Sequence, residues 1–324
     1  MGKRLIQWVT THEMRQQPEV RRPRSTSESS NLFLVIDVGV QFWPSDRTIS
    51  VPDLARALEE RGFASLWVSE HTHAPISRNT PWPKNPAEPL PMPYMRMHDP
   101  LIALAAAAVV TERLTVATGI LLAAQRDPII TAKEVASIDH LSGGRFIFGV
   151  GYGWDFDELR SHGVDPARRK DVLRENVEVM RELWAHEVAS HSGEFYELTP
   201  SWQWPKPLQR PGPPVVVGAG KAAFREIAAW SDGWVAGHHA GTLTEELPLL
   251  RKRIEEAGRK SSDVAIHSIF ADPFADDVSE TIDAYEEAGA ASVILFAPPW
   301  VYPEVETPDG AMRILDRLAR QIRT

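Results

Sequence analysis

GRFIFGVGYGW, residues 144–154, is an apolar run that ends in glycines at alternate positions. Its apolar part shows no polar alternation, which is typical of a strand buried on both faces in a parallel sheet. Gly149, Gly151 and Gly153 form the pattern G-x-G-x-G, whereas a dinucleotide-binding loop requires G-x-G-x-x-G followed at once by a helix. Residues 154–165 are polar, and we predict a loop there. The stretch is therefore interpreted as a buried strand with a glycine-lined tip.

Short apolar runs alternate with longer helical ones on both sides of this strand. Directly before it, residues 127–144 have apolar positions at helical spacing, an Asp-Pro opening and a Gly-Gly stop. Eight strands and eight helices alternate in this way, which predicts an α/β fold of the (β/α)8 or TIM-barrel type rather than an open doubly wound sheet. The predicted strands are 33–40, 64–70, 114–122, 145–151, 213–218, 232–237, 263–270 and 291–296.

The composition of the first residues differs from that of the rest of the chain, and the overall composition argues against several classes of function. Residues 1–31 are polar, basic and serine-rich, so we predict a flexible leader before a single barrel domain at 32–324. A net charge of −9 argues against a nucleic-acid partner. The chain has no cysteine, which excludes thiolate chemistry and suits a cytoplasmic protein. No apolar run reaches the roughly 18 residues of a membrane-spanning helix, so we expect no membrane partner.

Two connections are longer than ordinary turns. Residues 71–98, here called the proline-rich loop, carry seven prolines and follow the second predicted strand. Residues 187–213 follow the fourth predicted helix. Active sites of (β/α)8 barrels lie at the C-terminal ends of the strands, so the proline-rich loop belongs to the active face. It is either a lid or substrate wall, or a decoration without function.

Glycines and aromatic residues gather at the predicted C-terminal ends of the strands. Such a mouth suits a flat aromatic ligand, because glycines let the backbone approach a ring and aromatic side chains stack on it. Gly218–Gly220 also precede a predicted helix with Lys221 at its start, which indicates either a phosphate site or simply a tight turn. The residues predicted at the mouth are Trp43, Glu70, His71, Thr118, Gly119, Ile120, Gly151, Tyr152, Gly153, Trp154, Gly218, Ala219 and Gly220.

Several ordered blocks resemble the bacterial luciferase-like monooxygenase superfamily, and most closely its branch that depends on the deazaflavin coenzyme F420. The resemblance runs from about residue 34 to 240, and its blocks are Glu70–Thr72, 98–122, 126–154 and 214–236. It implies a barrel that binds F420, or alternatively reduced FMN. It also implies that Glu70 and His71 lie beside the cofactor ring, and that a non-proline cis peptide at Gly119–Ile120 supports the face of that ring.

The resemblance implies an oxidoreductase that transfers a hydride between F420 and a small organic substrate. The alternatives are an FMN-dependent monooxygenase that uses O2 and, less favoured, a barrel that binds flavin without turnover. His71 is the predicted proton donor or acceptor, with Glu70 orienting it or bonding the cofactor; otherwise His71 is a wall of the pocket. Members of the superfamily often dimerise through barrel helices, so the resemblance is compatible with a homodimer of this chain.

Trp154 and Trp43 are the predicted walls of the substrate pocket. Sugar-phosphate dehydrogenases of the superfamily carry a glutamate at the position of Trp154, so a flatter or more apolar substrate is expected here.

A metal site is not expected. His71 with His73, and His238 with His239, resemble metal ligands, but barrels of the amidohydrolase type need H-x-H at the end of the first strand, where this chain has VQFW.

Overall fold

The computed structural model describes residues 36–237, 242–275 and 278–322. The predicted leader at 1–31, the start of the first predicted strand and the pair His238–His239 lie outside the described residues.

Eight parallel strands close into a barrel, which confirms the predicted fold. Each corresponds to one of the eight predicted strands, and the order around the barrel is β1-β10-β9-β8-β7-β4-β3-β2. The remaining two strands, β5 and β6, form an antiparallel hairpin within the second long connection, where a loop was predicted. The strands are β1 Asp37–Phe42, β2 Ser65–Val68, β3 Thr115–Thr118, β4 Phe146–Gly151, β5 Ala189–Ser192, β6 Glu197–Ser201, β7 Val215–Gly218, β8 Gly233–Ala236, β9 Ala265–Phe270 and β10 Ser292–Phe296.

The helices surround the barrel, and one of them was not predicted. The polar segment after β4 was predicted to be a loop, but it contains the short helix α4, because the Asp155 side chain accepts hydrogen bonds from the amides of Asp157 and Glu158 and so caps the first turn. The helices are α1 Val51–Glu60, α2 Pro100–Ala108, α3 Pro128–Ser142, α4 Phe156–Ser161, α5 Arg169–Ala185, α6 Phe224–Trp230, α7 Thr242–Glu256, α8 Val278–Glu287 and α9 Pro308–Gln321.

The Asp-Pro openings predicted from the sequence begin α2 and α3. Asp99 accepts hydrogen bonds from two amides of the first turn of α2, and Asp127 accepts one from Ile130. Proline takes the first helical position in both, where no amide donor is needed. Gly143 ends α3 with a positive φ of 68°, a conformation that favours glycine.

Among the described residues, two apolar layers form most of the core, and a small third cluster lies within the proline-rich loop. The larger lies between the strands and the outer helices, and the smaller fills the inside of the barrel. Gly149 has no room for a side chain, because a Cβ atom there would lie 1.9 Å from the Thr118 carbonyl oxygen. Among the described residues, no helix is both long and apolar enough to cross a bilayer.

Candidate active site

A cavity of about 740 Å³ opens at the C-terminal ends of the barrel strands. Its size is that of a typical small-molecule site. Most of the residues predicted for the mouth line it, and the proline-rich loop contributes further wall residues. The predicted residues that line the cavity are Trp43, Glu70, His71, Gly119, Ile120, Tyr152, Gly153, Trp154, Gly218, Ala219 and Gly220.

The backbone after β3 forms a bulge into this cavity. The Gly119–Ile120 peptide bond is cis, as the resemblance implied. The Gly119 carbonyl oxygen accepts hydrogen bonds of 2.7 Å from Gln41 Nε2 and from Ser69 Oγ. These buried donors hold the bulge at the floor of the cavity.

The glycines at the ends of β4 and β7 make room for the bulge. A Cβ atom on Gly151 would lie 2.5 Å from Ile120 Cδ1, and one on Gly218 would lie 2.6 Å from Ile120 Cγ2. Gly151 lies behind Ile120 and does not itself line the cavity. Thr118 is fully buried and donates to the Gly149 carbonyl, so it too lies outside the cavity wall.

His71 is held between a carboxylate and an indole. Its Nδ1 atom lies 2.7 Å from Glu158 Oε2, and Glu158 Oε1 accepts from the Thr72 amide at 2.7 Å. Burial opposes ionisation of Glu158, but the hydrogen bonds from His71 and Thr72 outweigh it and lower the pKa of the Glu158 carboxyl. An ionised carboxylate only accepts, so Nδ1 of His71 carries the proton. His71 Nε2 is then the acceptor, and it receives the Trp154 indole N–H at 3.2 Å.

Glu70 does not orient His71, which corrects one of the two roles predicted for it. The Glu70 carboxylate accepts from the Leu122 amide at 2.6 Å and from Arg126 Nε at 2.8 Å. Adjacent residues at the end of a strand point in opposite directions, so Glu70 and His71 turn to different partners. The acid that contacts His71 is Glu158.

Aromatic rings cover the side of the cavity next to His71. The ring of Tyr94 lies 4.8 Å from that of Trp43, 5.9 Å from that of Trp154 and 5.7 Å from that of Trp300, on which it stacks. Burial raises the pKa of Tyr94 to about 12, although the Trp82 N–H that it accepts works against this. The Tyr94 phenol is therefore neutral at physiological pH, and the proline-rich loop is a wall of the cavity.

The predicted phosphate region is only partly assembled at the cavity. Gly218–Gly220 line it, but Lys221 is exposed and does not. A single 3-10 turn, Lys221–Ala223, separates the glycines from α6, so no long helix begins there. The cations that do line the cavity are Lys84, whose pKa is lowered by burial, and Arg169.

The sequence model of the luciferase-like monooxygenase family matches residues 34–321. The chain belongs to this family.

Proteins similar to this luciferase-like chain include an uncharacterized protein and two F420-dependent enzymes. An uncharacterized protein of Mycobacterium tuberculosis is 38% identical over 287 residues, which cover 88% of this chain and 98% of that protein. An F420-dependent glucose-6-phosphate dehydrogenase of Nakamurella multipartita is 29% identical over 227 residues, covering 68% of this chain and 61% of that enzyme. A solved F420-dependent secondary alcohol dehydrogenase has the same fold, with a TM-score of 0.67, 19% identity, and coverage of 89% of this chain and 99% of that one.

The family consists of flavin- or F420-dependent oxidoreductases, so this luciferase-like chain is an enzyme of that kind. Members of the family use F420 or FMN.

Some residues of the site were not predicted from the sequence. Glu158 lies 87 residues from His71 along the chain, and its only local signal is its place in the first turn of a helix too short to be recognised. Gln41 directly precedes Phe42 and Trp43 at a predicted strand end, which was a usable signal. Tyr94 belongs to a loop without a helical or strand pattern, so its position could not be predicted from the sequence.

Proposed function

We propose that this luciferase-like enzyme transfers a hydride between coenzyme F420 and a small, apolar alcohol or ketone. The observation that carries the proposal is the His71–Glu158 pair, which presents His71 Nε2 at a cavity whose floor is the Gly119–Ile120 bulge. When bound, a deazaflavin accepts or delivers a hydride at its C5 atom, and the protein must then manage one proton.

The cavity fits a flavin-type ring. The bulge offers an apolar face through Ile120, and the wall residues Gly153, Gly218 and Gly220 have no side chains to obstruct a ring. Gly119 and Ile120 would support one face of the ring, and Gly218–Gly220 would border its edge. Arg169 is a cation on the same wall for an anionic part of the cofactor.

His71 and Glu158 have the arrangement that general base catalysis requires. In the oxidation of an alcohol, His71 Nε2 takes the hydroxyl proton, and the Glu158 carboxylate stabilises the imidazolium through Nδ1. This is the arrangement of a catalytic histidine held by a buried acid. General acid–base catalysis of this kind increases the rate by roughly 10²–10⁴-fold. In the reverse direction, the imidazolium returns the proton to the alkoxide oxygen.

The aromatic wall favours an apolar substrate over a sugar phosphate. Trp43, Tyr94, Trp154 and Trp300 surround the space next to His71. Such rings bury apolar groups well and offer no charge to a phosphate. Trp154 is also more than a wall, because its indole N–H occupies His71 Nε2 until a substrate hydroxyl takes that place.

Titration with each cofactor tests the proposal. Fluorescence quenching of the purified protein by F420 and by FMN measures both affinities, and we expect F420 to bind at least about tenfold tighter. Lys252→Ala is the matched control, because the Lys252 side chain is exposed on α7 and its loss should leave the F420 affinity unchanged. Tight binding of FMN but not F420 would support the FMN-dependent monooxygenase instead. If F420 binds but no substrate reduces it, the result would support a barrel that binds the cofactor without turnover.

The proposal extends to partners and location. We expect a homodimer with no nucleic-acid or membrane partner, in the cytoplasm.

A further inference from the structure

The Thr72 hydroxyl, next to His71 in the chain, has three polar partners. Its Oγ1 atom lies 2.7 Å from His162 Nε2, 2.9 Å from His73 Nδ1 and 3.0 Å from Glu158 Oε1. Glu158 is buried, whereas His73 and His162 are exposed. The cluster therefore connects the carboxylate that holds His71 to two imidazoles at the surface.

The number of protons in the cluster fixes the direction of each hydrogen bond. A hydroxyl donates one hydrogen and accepts up to two. Glu158 Oε1 only accepts, so Thr72 Oγ1 donates to it. Both imidazoles must then donate to Thr72, which places protons on His162 Nε2 and His73 Nδ1. Burial and the neighbouring His73 lower the pKa of His162, so a neutral ring in this tautomer suits neutral pH.

A metal ion is a weaker interpretation of the same residues. The ligand atoms of His73, Glu158 and His162 lie within 4.8 Å of one another. Zinc binds such atoms at about 2.0–2.2 Å. Thr72 Oγ1 already occupies a position 2.7–3.0 Å from all three, and every hydrogen bond it makes there is satisfied. The geometry favours a hydrogen-bond network over an ion.

We propose that His73 and His162 are positioning residues for His71 and act on it through Thr72 and Glu158. The two imidazoles fix the Thr72 O–H towards Glu158, so the carboxylate keeps three donors: the Thr72 amide, the Thr72 hydroxyl and His71 Nδ1–H. A carboxylate held in this way keeps His71 in the tautomer that presents the Nε2 lone pair to substrate. Only the expected effect on kcat rests on the proposed function; the expected tautomer of His71 does not.

Nitrogen NMR of histidine-labelled wild-type protein tests the tautomers directly, without cofactor or substrate. We expect His71 and His73 to carry their proton on Nδ1 and His162 to carry it on Nε2, at neutral pH. The signals are assigned by the loss of one signal in each of the variants His71→Gln, His73→Gln and His162→Gln. A wild-type spectrum with the proton of His71 on Nε2 would overturn the proposal, whether or not the enzyme uses F420.

Paired variants test the coupling. We expect His73→Ala combined with His162→Ala to mix the His71 tautomers and to lower kcat about threefold to tenfold, with KM and F420 affinity nearly unchanged. His73→Asn combined with His162→Gln keeps an N–H donor near each position and restores both readouts. His186→Ala, an exposed histidine at the end of α5, is the control and changes neither.

Two results would contradict the proposal. One is an unchanged His71 tautomer and unchanged kcat in the double alanine variant. The other is one equivalent of zinc in the purified protein that the double alanine variant lacks, because the cluster would then be a metal centre. Failure of the proposed function alone would remove the effect on kcat and leave the tautomer result standing.

Discussion

Glu158 is the residue on which the geometry of His71 depends. Its side chain is 1% exposed and accepts three hydrogen bonds, from the His71 ring and from the amide and hydroxyl of Thr72. These donors lower its pKa in the folded state despite the opposing effect of burial. A carboxyl whose pKa falls on folding stabilises the protein above its unfolded pKa of about 4.3, and this contribution is lost as the pH falls through the folded pKa.

We therefore expect Glu158→Gln to lower the free energy of unfolding most at neutral pH. At pH 7 the loss is about 1–3 kcal/mol, because a buried charged acceptor is replaced by an amide that cannot satisfy three donors. As the pH falls through the lowered folded-state pKa of Glu158, the wild-type carboxyl takes up a proton and the difference shrinks. Urea unfolding of both proteins at several pH values measures it. A difference that grows towards acid pH would contradict the assigned ionisation.

Gly151 serves the cofactor site through Ile120 rather than by direct contact. A methyl group at 151 would lie within 2.8 Å of both Ile120 Cδ1 and Cγ1. We expect Gly151→Ala to cost about 1–3 kcal/mol of stability and to weaken F420 binding about tenfold, since it pushes Ile120 out of its place on the bulge.

The Ile120→Ala background removes the clashing atoms and provides the control. In it, we expect Gly151→Ala to cost clearly less, which a double-mutant cycle of urea unfolding measures. Additive losses would show that Gly151 acts through something other than Ile120.

At the scale of elements, Asp157 is one of the α4 residues that hold the proline-rich loop, and it binds the loop at residues 79 and 80. Asp157 Oδ2 accepts from the amides of Asn79 and Thr80, both at 2.9 Å, and from Thr80 Oγ1 at 2.8 Å. The loop carries Tyr94 and so forms part of the aromatic wall. The position of this wall therefore depends on a contact between a loop and a helix of six residues.

We expect Asp157→Ala to release the loop without unfolding the barrel. Trypsin has targets in the loop at Arg78, Lys84 and Arg96, and cleavage there should become about tenfold faster while global unfolding changes little. Substrate KM should rise, because the wall loses its fixed position. Asp171→Ala, which removes an exposed ion pair on α5, is the control. Equal cleavage rates in wild type and Asp157→Ala would show that this contact does not hold the loop.

The barrel could be predicted from the sequence because each of its strands is a short apolar run between helical segments. α4 and the β5–β6 hairpin could not, for physical reasons. α4 has only six residues and owes its start to one capping side chain, Asp155. The hairpin strands include His191, Ser192 and Glu197, so they lack the apolar pattern of a buried strand. His71 follows a recognisable strand end, but its partner Glu158 is brought to it only by tertiary folding.

At the scale of the molecule, exposed apolar side chains occur on α2, on α3 and in the segment that follows the hairpin. Ile102 is 71% exposed and Ile130 is 60% exposed. Trp202 and Trp204 are also exposed, and between them Gln203 Nε2 donates to the Ile129 carbonyl at 2.9 Å, which joins this segment to α3. Exposed apolar side chains, where they form a patch, are typical of a protein–protein contact.

We expect sedimentation velocity to show a dimer at micromolar concentration. Ile102→Glu combined with Ile130→Glu should give a folded monomer, since two charges would be buried at the contact. Leu249→Glu, at another exposed apolar position on α7, is the control and should leave the dimer intact. A monomeric wild-type protein would contradict the homodimer.

Anaerobic reduction of F420 by a panel of apolar secondary alcohols tests the central claim most directly. The fluorescence of the oxidised deazaflavin reports turnover, and we expect at least one alcohol to reduce it in the wild-type enzyme. His71→Asn should slow this reduction by roughly 10²-fold or more while binding F420 equally well. Wild-type turnover in His71→Asn would contradict the role of His71, and O2 consumption with reduced FMN, when no alcohol reduces F420, would contradict hydride transfer to F420.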